Sequence, residues 1–201
     1  MNRERGRPRN FETDEALDQA LAVFWRHGFQ GASLQDLTQA MGLSKPSLYA
    51  AFGDKEALYL KCLNRYVERL VEGNSGILNS EKNVVVAIEK LLRIIATLVC
   101  DPSLPGGCFI VTGSSGCGNV NTPELVEQGL RSAILENEAL LLQRLVRAKK
   151  EKQLPEKTNV ESLAIFFSTT ITGLSVMAKS GTSLEKANRV IDMAMLAMPV
   201  K

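Results

Sequence analysis

The chain has 201 residues, of which 45% are hydrophobic and 23% charged, and its net charge is only +2. This composition is typical of a globular chain with ample apolar material for a core, either one domain or a small domain fused to a larger one. Four cysteines do not suggest a disulfide scaffold, and no apolar run follows the first residues, so we expect a reducing cytoplasm and no signal peptide.

The amino terminus concentrates the positive charge. Four arginines against one glutamate give the side chains of the first ten residues a charge of +3, more than the surplus of the whole chain. Gly6 and Pro8 interrupt this segment, so no helix is expected there. The segment is either a solvated tail or an arm that lies along nucleic acid. Its arginines are Arg3, Arg5, Arg7 and Arg9.

After this segment, apolar residues recur at helical spacing almost throughout, and no alternating run is long enough to predict a sheet. Glycine follows each of the first three helical patterns, and the first should begin at Thr13 or Asp14. Ser33, three residues before Asp36, should cap the second helix, Ser44 or Lys45 should open the third, and Asp54 should cap the fourth. The predicted helices span residues 13–28, 33–42, 44–53, 54–73, 81–99, 123–150, 159–177 and 183–198. The sequence therefore predicts an all-α fold.

The longest uncharged stretch, residues 162–178, has to be tested as a candidate membrane span. It is slightly too short for one, and it contains several serines and threonines. We therefore expect this stretch to form a buried helix.

The third predicted helix has barely two turns, and a helix of that length is marginal in water unless its neighbours hold it. With the helix before it, joined through a glycine turn, it forms a helix-turn-helix, in which the second helix enters the major groove of DNA. Leu48 and Phe52 lie four residues apart and should face inward against the preceding helix. This leaves Lys45, Ser47 and Tyr49 on or near the outward side.

The stretch GASLQDLTQAMGLSKPSLYAAFGDKEALY resembles the DNA-binding segment of the TetR family of bacterial transcriptional repressors. The resemblance implies a helix-turn-helix DNA-binding domain over residues 1–54 and an all-helical ligand-binding and dimerisation domain over residues 55–201. It also implies a homodimer that binds a palindromic operator and is released by a small-molecule inducer. The match covers roughly residues 11–60 and includes Gly28, Phe29, Ser33, Gly42, Leu48, Tyr49, Phe52 and Lys55.

The same resemblance assigns individual residues to the double-stranded operator. Ser33 and Lys55, at the starts of two helices, would each hold a phosphate. Gln35 and Lys45 fall where the family reads bases, and the other assigned positions contact bases or backbone. The full set of expected contacts is Ser33, Gln35, Ser44, Lys45, Ser47, Tyr49 and Lys55, together with the four arginines.

One departure from the family pattern concerns Ala50 and Ala51. Many relatives place an aromatic residue and a histidine there, and both touch the DNA backbone. Those contacts are lost here, and we expect the arginine arm to replace them.

The carboxyl-terminal helices are expected to carry the dimer surface, unless they merely pack within one subunit. Small residues in the helix over 159–177 would allow close approach of a partner, and the last helix has an apolar stripe. The small residues are Ser168, Thr172, Gly173 and Ser175.

A regulatory pocket is expected among the middle helices. Few charges occur on their inward faces, so the sequence predicts a largely apolar pocket and a neutral or weakly polar ligand. The expected lining residues are Ile94, Leu98, Cys108, Phe109, Phe166 and Phe167.

An enzyme is the main rival class, and the sequence does not favour it. His27 is the only histidine, and no other feature of the sequence indicates a Ser-His-Asp triad. The loop GSSGCG has neither a preceding strand nor a following Lys-Ser/Thr, which excludes a phosphate-binding loop. Cys108 and Cys117 do not have the spacing of a zinc site and have no histidine partners. We therefore expect no catalytic residue, metal or cofactor.

A pure protein-interaction module would leave the arm and the short helix unexplained.

An alternative within the same family is a repressor that senses oxidants or electrophiles through Cys108 and Cys117. Some relatives of similar layout have a reactive cysteine after a glycine here. A helix beginning near Gly107 would place Cys108 in its first turn, which favours a thiolate. No Lys or Arg occurs between residues 94 and 130, however, and a buried cysteine often packs as a small apolar residue. Both interpretations stay open.

Overall fold

The computed structural model describes residues 9–199, with side chains from residue 13 onward. Within that range the chain is all-α, as the sequence predicts, with nine helices and no strand. The helices are α1 (Arg9–Gly31), α2 (Leu34–Met41), α3 (Lys45–Phe52), α4 (Lys55–Ser80), α5 (Val84–Val99), α6 (Phe109–Ser114), α7 (Glu124–Lys150), α8 (Val160–Lys179) and α9 (Leu184–Met195).

The first helix begins earlier than expected. It starts at Arg9 rather than at Thr13 or Asp14, because residues 9–12 contain no glycine or proline that would stop it. Of the predicted arm, Arg3, Arg5 and Arg7 lie outside the described residues. Regular helix stops at Gly28, whose positive φ of 69° breaks the backbone before one further turn.

Side-chain caps fix the helix-turn-helix and the start of α4. In α2, the amide of Asp36 donates to the Ser33 hydroxyl, and the amide of Ser33 donates to the Asp36 carboxylate, both at 3.1 Å. Gly42 then adopts the left-handed conformation that ends the helix. Ser44 caps α3, and Asp54 caps α4. These local signals are the ones that the sequence predicted.

Helix α4 is longer than predicted, since it continues past Gly73 to Ser80. A glycine inside a helix costs only about 1 kcal/mol relative to alanine, and tertiary packing overrides it here. Asn74 is buried and donates to the side chain of Asn137 on α7 at 3.2 Å. The buried Arg144 donates to the carbonyl of Leu78 at 2.9 Å, which satisfies a carbonyl at the end of α4.

Two clusters of buried side chains divide the molecule, and α4 and α7 contribute to both. The amino-terminal core joins α1–α3 to the first half of α4, to α6 and to the first half of α7. The carboxyl-terminal core joins α5, α8 and α9 to the far ends of α4 and α7. The amino-terminal core consists of Ala20, Leu21, Phe24, Ala32, Leu37, Met41, Leu48, Phe52, Leu58, Tyr59, Cys62, Leu63, Phe109, Ile110, Val126, Leu130 and Ala133.

Aromatic contacts tie α6 into the amino-terminal core. The ring of Phe109 lies 5.3 Å from that of Tyr59 and 5.6 Å from that of Tyr66, both on α4. Trp25 of α1 meets Tyr66 edge-on at 5.3 Å. Beyond the rings, the side-chain amide of Gln30 donates to the carbonyl of Asn121 in the loop after α6. The end of α1 is therefore joined to a segment about ninety residues later in the chain.

Helix α8 is long and apolar enough for a membrane span by length and composition alone. In the structure, however, Phe167, Leu174 and Ala164 are almost fully buried against the chain's own helices. This is the pattern of a core helix, as the sequence predicted.

Candidate nucleic-acid interface and adjoining cavity

Helix α3 presents a polar face on an apolar anchor. Leu48 and Phe52 are 0% and 4% exposed and belong to the amino-terminal core, as predicted. Lys45, Ser47 and Tyr49 are exposed on the other side. Such a helix can offer its polar side chains to a partner without disturbing its own packing.

The neighbouring cap residues share this exposed surface. Ser44 at the start of α3, and Ser33 and Gln35 around the start of α2, are exposed. The Ser33 hydroxyl donates to the Asp36 carboxylate at 2.6 Å, and the hydrogen bonds from Ser33 lower the pKa of Asp36. A phosphate at Ser33 would therefore lie close to a carboxylate, and its contact stays a prediction.

Lys55 is held at the junction of α1 and α4. Its ammonium lies 3.5 Å from the carbonyl oxygen of Gln30 and 4.8 Å from the ring centroid of Phe29. Burial lowers the pKa of Lys55. The side chain thus has a defined position near the start of α4 rather than a free one.

A charged cluster, here called the clamp, joins α1 to α4. Asp18 on α1 receives hydrogen bonds from Arg65 Nε at 2.9 Å and from Arg69 Nη1 at 2.7 Å, and Arg65 also pairs with Asp14 at 3.0 Å. Burial alone would raise the pKa of Asp18, but hydrogen bonds and charges from the two arginines outweigh it and hold that pKa below its usual value. Sequence reasoning missed the clamp, although two carboxylates and two arginines each spaced four apart were a signal for it.

A cavity of about 520 Å³ lies between α1 and the middle helices. Helices α1, α4, α5, α6, α7 and α8 all contribute to its walls, which are mostly apolar. Three of the residues expected from the sequence, Ile94, Leu98 and Cys108, line it. That they bind a ligand stays a prediction.

The other three expected lining residues lie elsewhere, so that part of the expectation is wrong. Phe109 is 1% exposed because it fills the amino-terminal core, and Phe167 is 0% exposed because it fills the carboxyl-terminal core. Phe166, one position earlier on α8, is 41% exposed. Neither Phe166 nor Phe167 is among the residues of α8 that line the cavity.

The cavity face of α8 consists instead of small residues that the sequence assigned to a dimer surface. Ser168, Thr172 and Ser175 line the cavity together with Ile171. The expectation that these three allow the approach of a partner is therefore wrong, because they face the interior of the subunit. Of the predicted small residues, only Gly173 is exposed.

The cysteines differ in their surroundings. The Tyr66 hydroxyl donates to the Cys108 sulfur at 3.5 Å beside the cavity. Burial and the charge of Glu127 raise the pKa of Cys117, and burial raises that of Cys62 to about 12. The charge of Arg131 lowers the pKa of Cys117 but does not outweigh these two effects, so its surroundings do not favour a reactive thiolate. Between residues 9 and 199, no cluster of His, Cys, Asp or Glu could hold a metal ion.

Comparisons with known proteins agree with this geometry. Residues 16–62 match the model of the family described as bacterial regulatory proteins, tetR family, and residues 86–195 match the tetracyclin repressor-like carboxyl-terminal domain. The chain is 34% identical to the HTH-type transcriptional repressor ComR of Escherichia coli (strain K12), across 94% of this chain and 90% of that protein. It is 27% identical to the HTH-type transcriptional repressor BdcR of the same strain, across 90% of this chain and 86% of BdcR.

A solved structure extends the likeness to three dimensions. The TetR family transcriptional regulator CifR, with cysteine substitutions and complexed with 26-base-pair double-strand operator DNA, matches with a TM-score of 0.88. The two sequences are 35% identical, and the match covers 96% of this chain and 100% of that chain. The named relatives are all transcriptional regulators.

Replacing Asp18 by asparagine tests the clamp. Because the folded-state pKa of Asp18 is lowered, its charged form stabilises the fold above about pH 4, and this contribution is lost as the pH falls through the folded-state pKa. Asp18→Asn should lower the free energy of unfolding by about 1 kcal/mol at pH 7, since solvent screens the half-exposed cluster. Urea unfolding at pH 7, 5 and 3 should show the difference from wild type shrinking at the lowest pH.

The exposed pair of Glu185 and Arg189 provides the control, because Glu185→Gln removes a similar charge pair in full contact with water. That variant should change stability by only a few tenths of a kcal/mol, roughly as for exposed helix pairs. A destabilisation by Asp18→Asn that is the same at all three pH values would contradict the electrostatic account.

Proposed function

The chain belongs to the TetR family of bacterial regulatory proteins, and on that premise we propose that it is a repressor that binds a palindromic operator as a homodimer and is released by a small molecule. The observation that carries the DNA-binding part is α3, a two-turn helix anchored by Leu48 and Phe52 with an exposed polar face. A regulator of this class acts where the DNA is, so we place it in the cytoplasm.

In this proposal α3 enters the major groove and the flanking residues fix its register. Lys45 reads the acceptors of guanine, and Gln35 suits adenine. Ser33 and Lys55 hold phosphates, which position the protein without carrying sequence information. The other proposed contacts are Ser44, Ser47, Tyr49 and the arm arginines Arg3, Arg5, Arg7 and Arg9.

The small size of the reading helix and the exposed apolar surface support a homodimer. One α3 contacts only a few base pairs, so specificity requires two copies. The outward face of α8 supports the pairing, since Ile165 and Val176 are 53% and 54% exposed and Gly173 lies between them. Met193 of α9 is 68% exposed and extends the same kind of surface.

Release by a ligand is supported by where the cavity lies. Its volume falls within the roughly 300–1,000 Å³ of small-molecule sites. Leu21 and Trp25 of α1 and a whole face of α4 line it, so an occupant would touch two of the helices that share the amino-terminal core with α3. The two α3 helices of a dimer fit DNA only when they lie about 34–36 Å apart. A ligand that disfavours this spacing by a few kcal/mol is therefore enough to release the operator.

A second candidate function is regulation by oxidation or alkylation of a cysteine. It is favoured by one observation, the position of Cys108 at the cavity wall beside the Tyr66 hydroxyl. The raised pKa of Cys117 argues against a second reactive thiol. We therefore keep release by a cavity ligand as the first proposal.

Two lysine substitutions test the assignment of DNA contacts. Lys45→Ala should cost about 1–3 kcal/mol per half-site and relax the preference at one base pair, because a base contact is lost. Lys55→Ala should weaken binding to all sequences alike, because a phosphate contact is lost. Both are measured by binding to a panel of operator variants.

Lys157→Ala, in the exposed loop between α7 and α8, is the matched control and should leave operator binding unchanged. If Lys45→Ala and Lys55→Ala gave the same specificity profile, the roles assigned to them would be wrong.

The cavity proposal is tested by a thermal-shift screen of small compounds followed by operator release. A compound at 100 times its dissociation constant should stabilise the protein by about 2.7 kcal/mol. Thr172→Phe fills the cavity and should remove both the shift and the release while operator binding persists. Thr97→Phe, on the exposed side of α5, should keep both responses. Compounds that stabilise Thr172→Phe and release it from the operator as they do the wild type must bind outside the cavity, which would contradict the proposal.

Operator binding after mild oxidant separates the second candidate from the first. If a cysteine is the sensor, wild type loses binding and Cys108→Ser prevents the loss, whereas Cys117→Ser does not. Equal behaviour of all three proteins would reject a redox switch.

A further inference from the structure

The polarity of the cavity is uneven along its length. Its body is formed by aliphatic residues of α5 and α8 such as Ile94, Leu98 and Ile171. Where α1 meets α4, Arg69 contributes the one charged side chain among the described residues that line the cavity. Sequence reasoning missed Arg69 because the pocket was expected among the middle helices, and none of the expected lining residues lies on α4.

Trp25 lies at the same end of the cavity and carries an unused hydrogen-bond donor. Its indole N–H is buried and has no partner among the described residues, and Trp25 itself lines the cavity. Its ring contacts Tyr66, which lies three residues before Arg69 on α4. Buried donors are normally satisfied by protein, water or ligand, so an acceptor is expected here.

Arg69 can leave its present partner at small cost. Asp18 is bound by two guanidinium groups, from Arg65 at 2.9 and 3.2 Å and from Arg69 at 2.7 and 3.0 Å. The Arg65 side chain is 20% exposed and that of Arg69 is 53% exposed. If Arg69 turns away, Asp18 keeps a two-pronged contact with the better-buried arginine.

From these contacts we propose that the α1 end of the cavity is a carboxylate site, and that its ligand is an amphiphile with an apolar body and an anionic head held by Arg69 and the Trp25 indole. This inference rests on the proposed function, since it names the ligand class of the same cavity. It departs from the neutral ligand expected from the sequence, because the charge comes from α4.

The site also supplies a mechanism for signalling. The clamp is neutral as it stands, with Asp14 and Asp18 against Arg65 and Arg69. A ligand carboxylate must therefore take Arg69 from Asp18 rather than join the cluster unpaired. Ligand binding then removes one of the two arginines that fasten α1 to α4, and the orientation of α3 becomes less constrained.

The experiment uses decanoate and decanamide, two probes of equal chain length that differ in charge, below the micellar concentration of decanoate. Trp25 is the only tryptophan, so its fluorescence reports directly on the proposed site. Wild-type protein should bind decanoate at least tenfold more tightly than decanamide at pH 7. Arg69→Gln should reduce decanoate binding to the level of the amide and leave decanamide binding unchanged.

Two further variants keep the result interpretable. Arg69→Lys retains the charge and should preserve part of the preference for decanoate. Arg131→Gln removes an exposed arginine of α7 that does not line the cavity, and it should bind both probes as wild type does.

Equal binding of the two probes, a preference that survives Arg69→Gln, or no binding of either probe would overturn the carboxylate site. None of these results would contradict the proposal that another cavity ligand releases the operator. The thermal-shift screen and Thr172→Phe test that proposal separately. Failure of that screen, with decanoate bound in the manner described, would instead count against the proposed mode of regulation.

Discussion

Helix α3 is too short to hold itself in water, and the architecture around it follows from that constraint. Its stability comes from Leu48 and Phe52, which pack into the amino-terminal core with side chains of α1, α2 and α4. The exposed face can then carry residues chosen for chemistry rather than for packing. Whatever moves the walls of that core also moves the reading helix.

The same core brings regulation close to recognition. Phe109 of α6 packs against Tyr59 and Tyr66 of α4, and Tyr66 in turn meets Trp25 of α1. The cavity lies against this aromatic set, so an occupant has a path of direct contacts to α1. The clamp provides a second connection between the same two helices, with electrostatic rather than apolar character.

Features set by neighbouring residues were predictable from the sequence, and features set by distant packing were not. The caps at Ser33 and Asp54 and the left-handed Gly42 depend on a few adjacent residues, so their patterns sufficed. The end of α4 depends on α7, which overrides the glycine at position 73. The cavity lining depends on how α8 is rotated, and no periodicity distinguishes the face with Phe167 from the face with Thr172.

The amino-terminal core has a consequence for exchanging parts between regulators. The sequence favours a cut after residue 54, because α4 begins at Lys55. Yet Tyr59, Leu63, Phe109 and Leu130, all beyond that point, fill the interior beneath α1–α3. A chimera that joined this head to another body at residue 54 would replace half of the head's own interior. Recombined regulators of this type should therefore include the residues of α4, α6 and α7 that face α1–α3. The reading helix α3 then keeps the core that holds it in place.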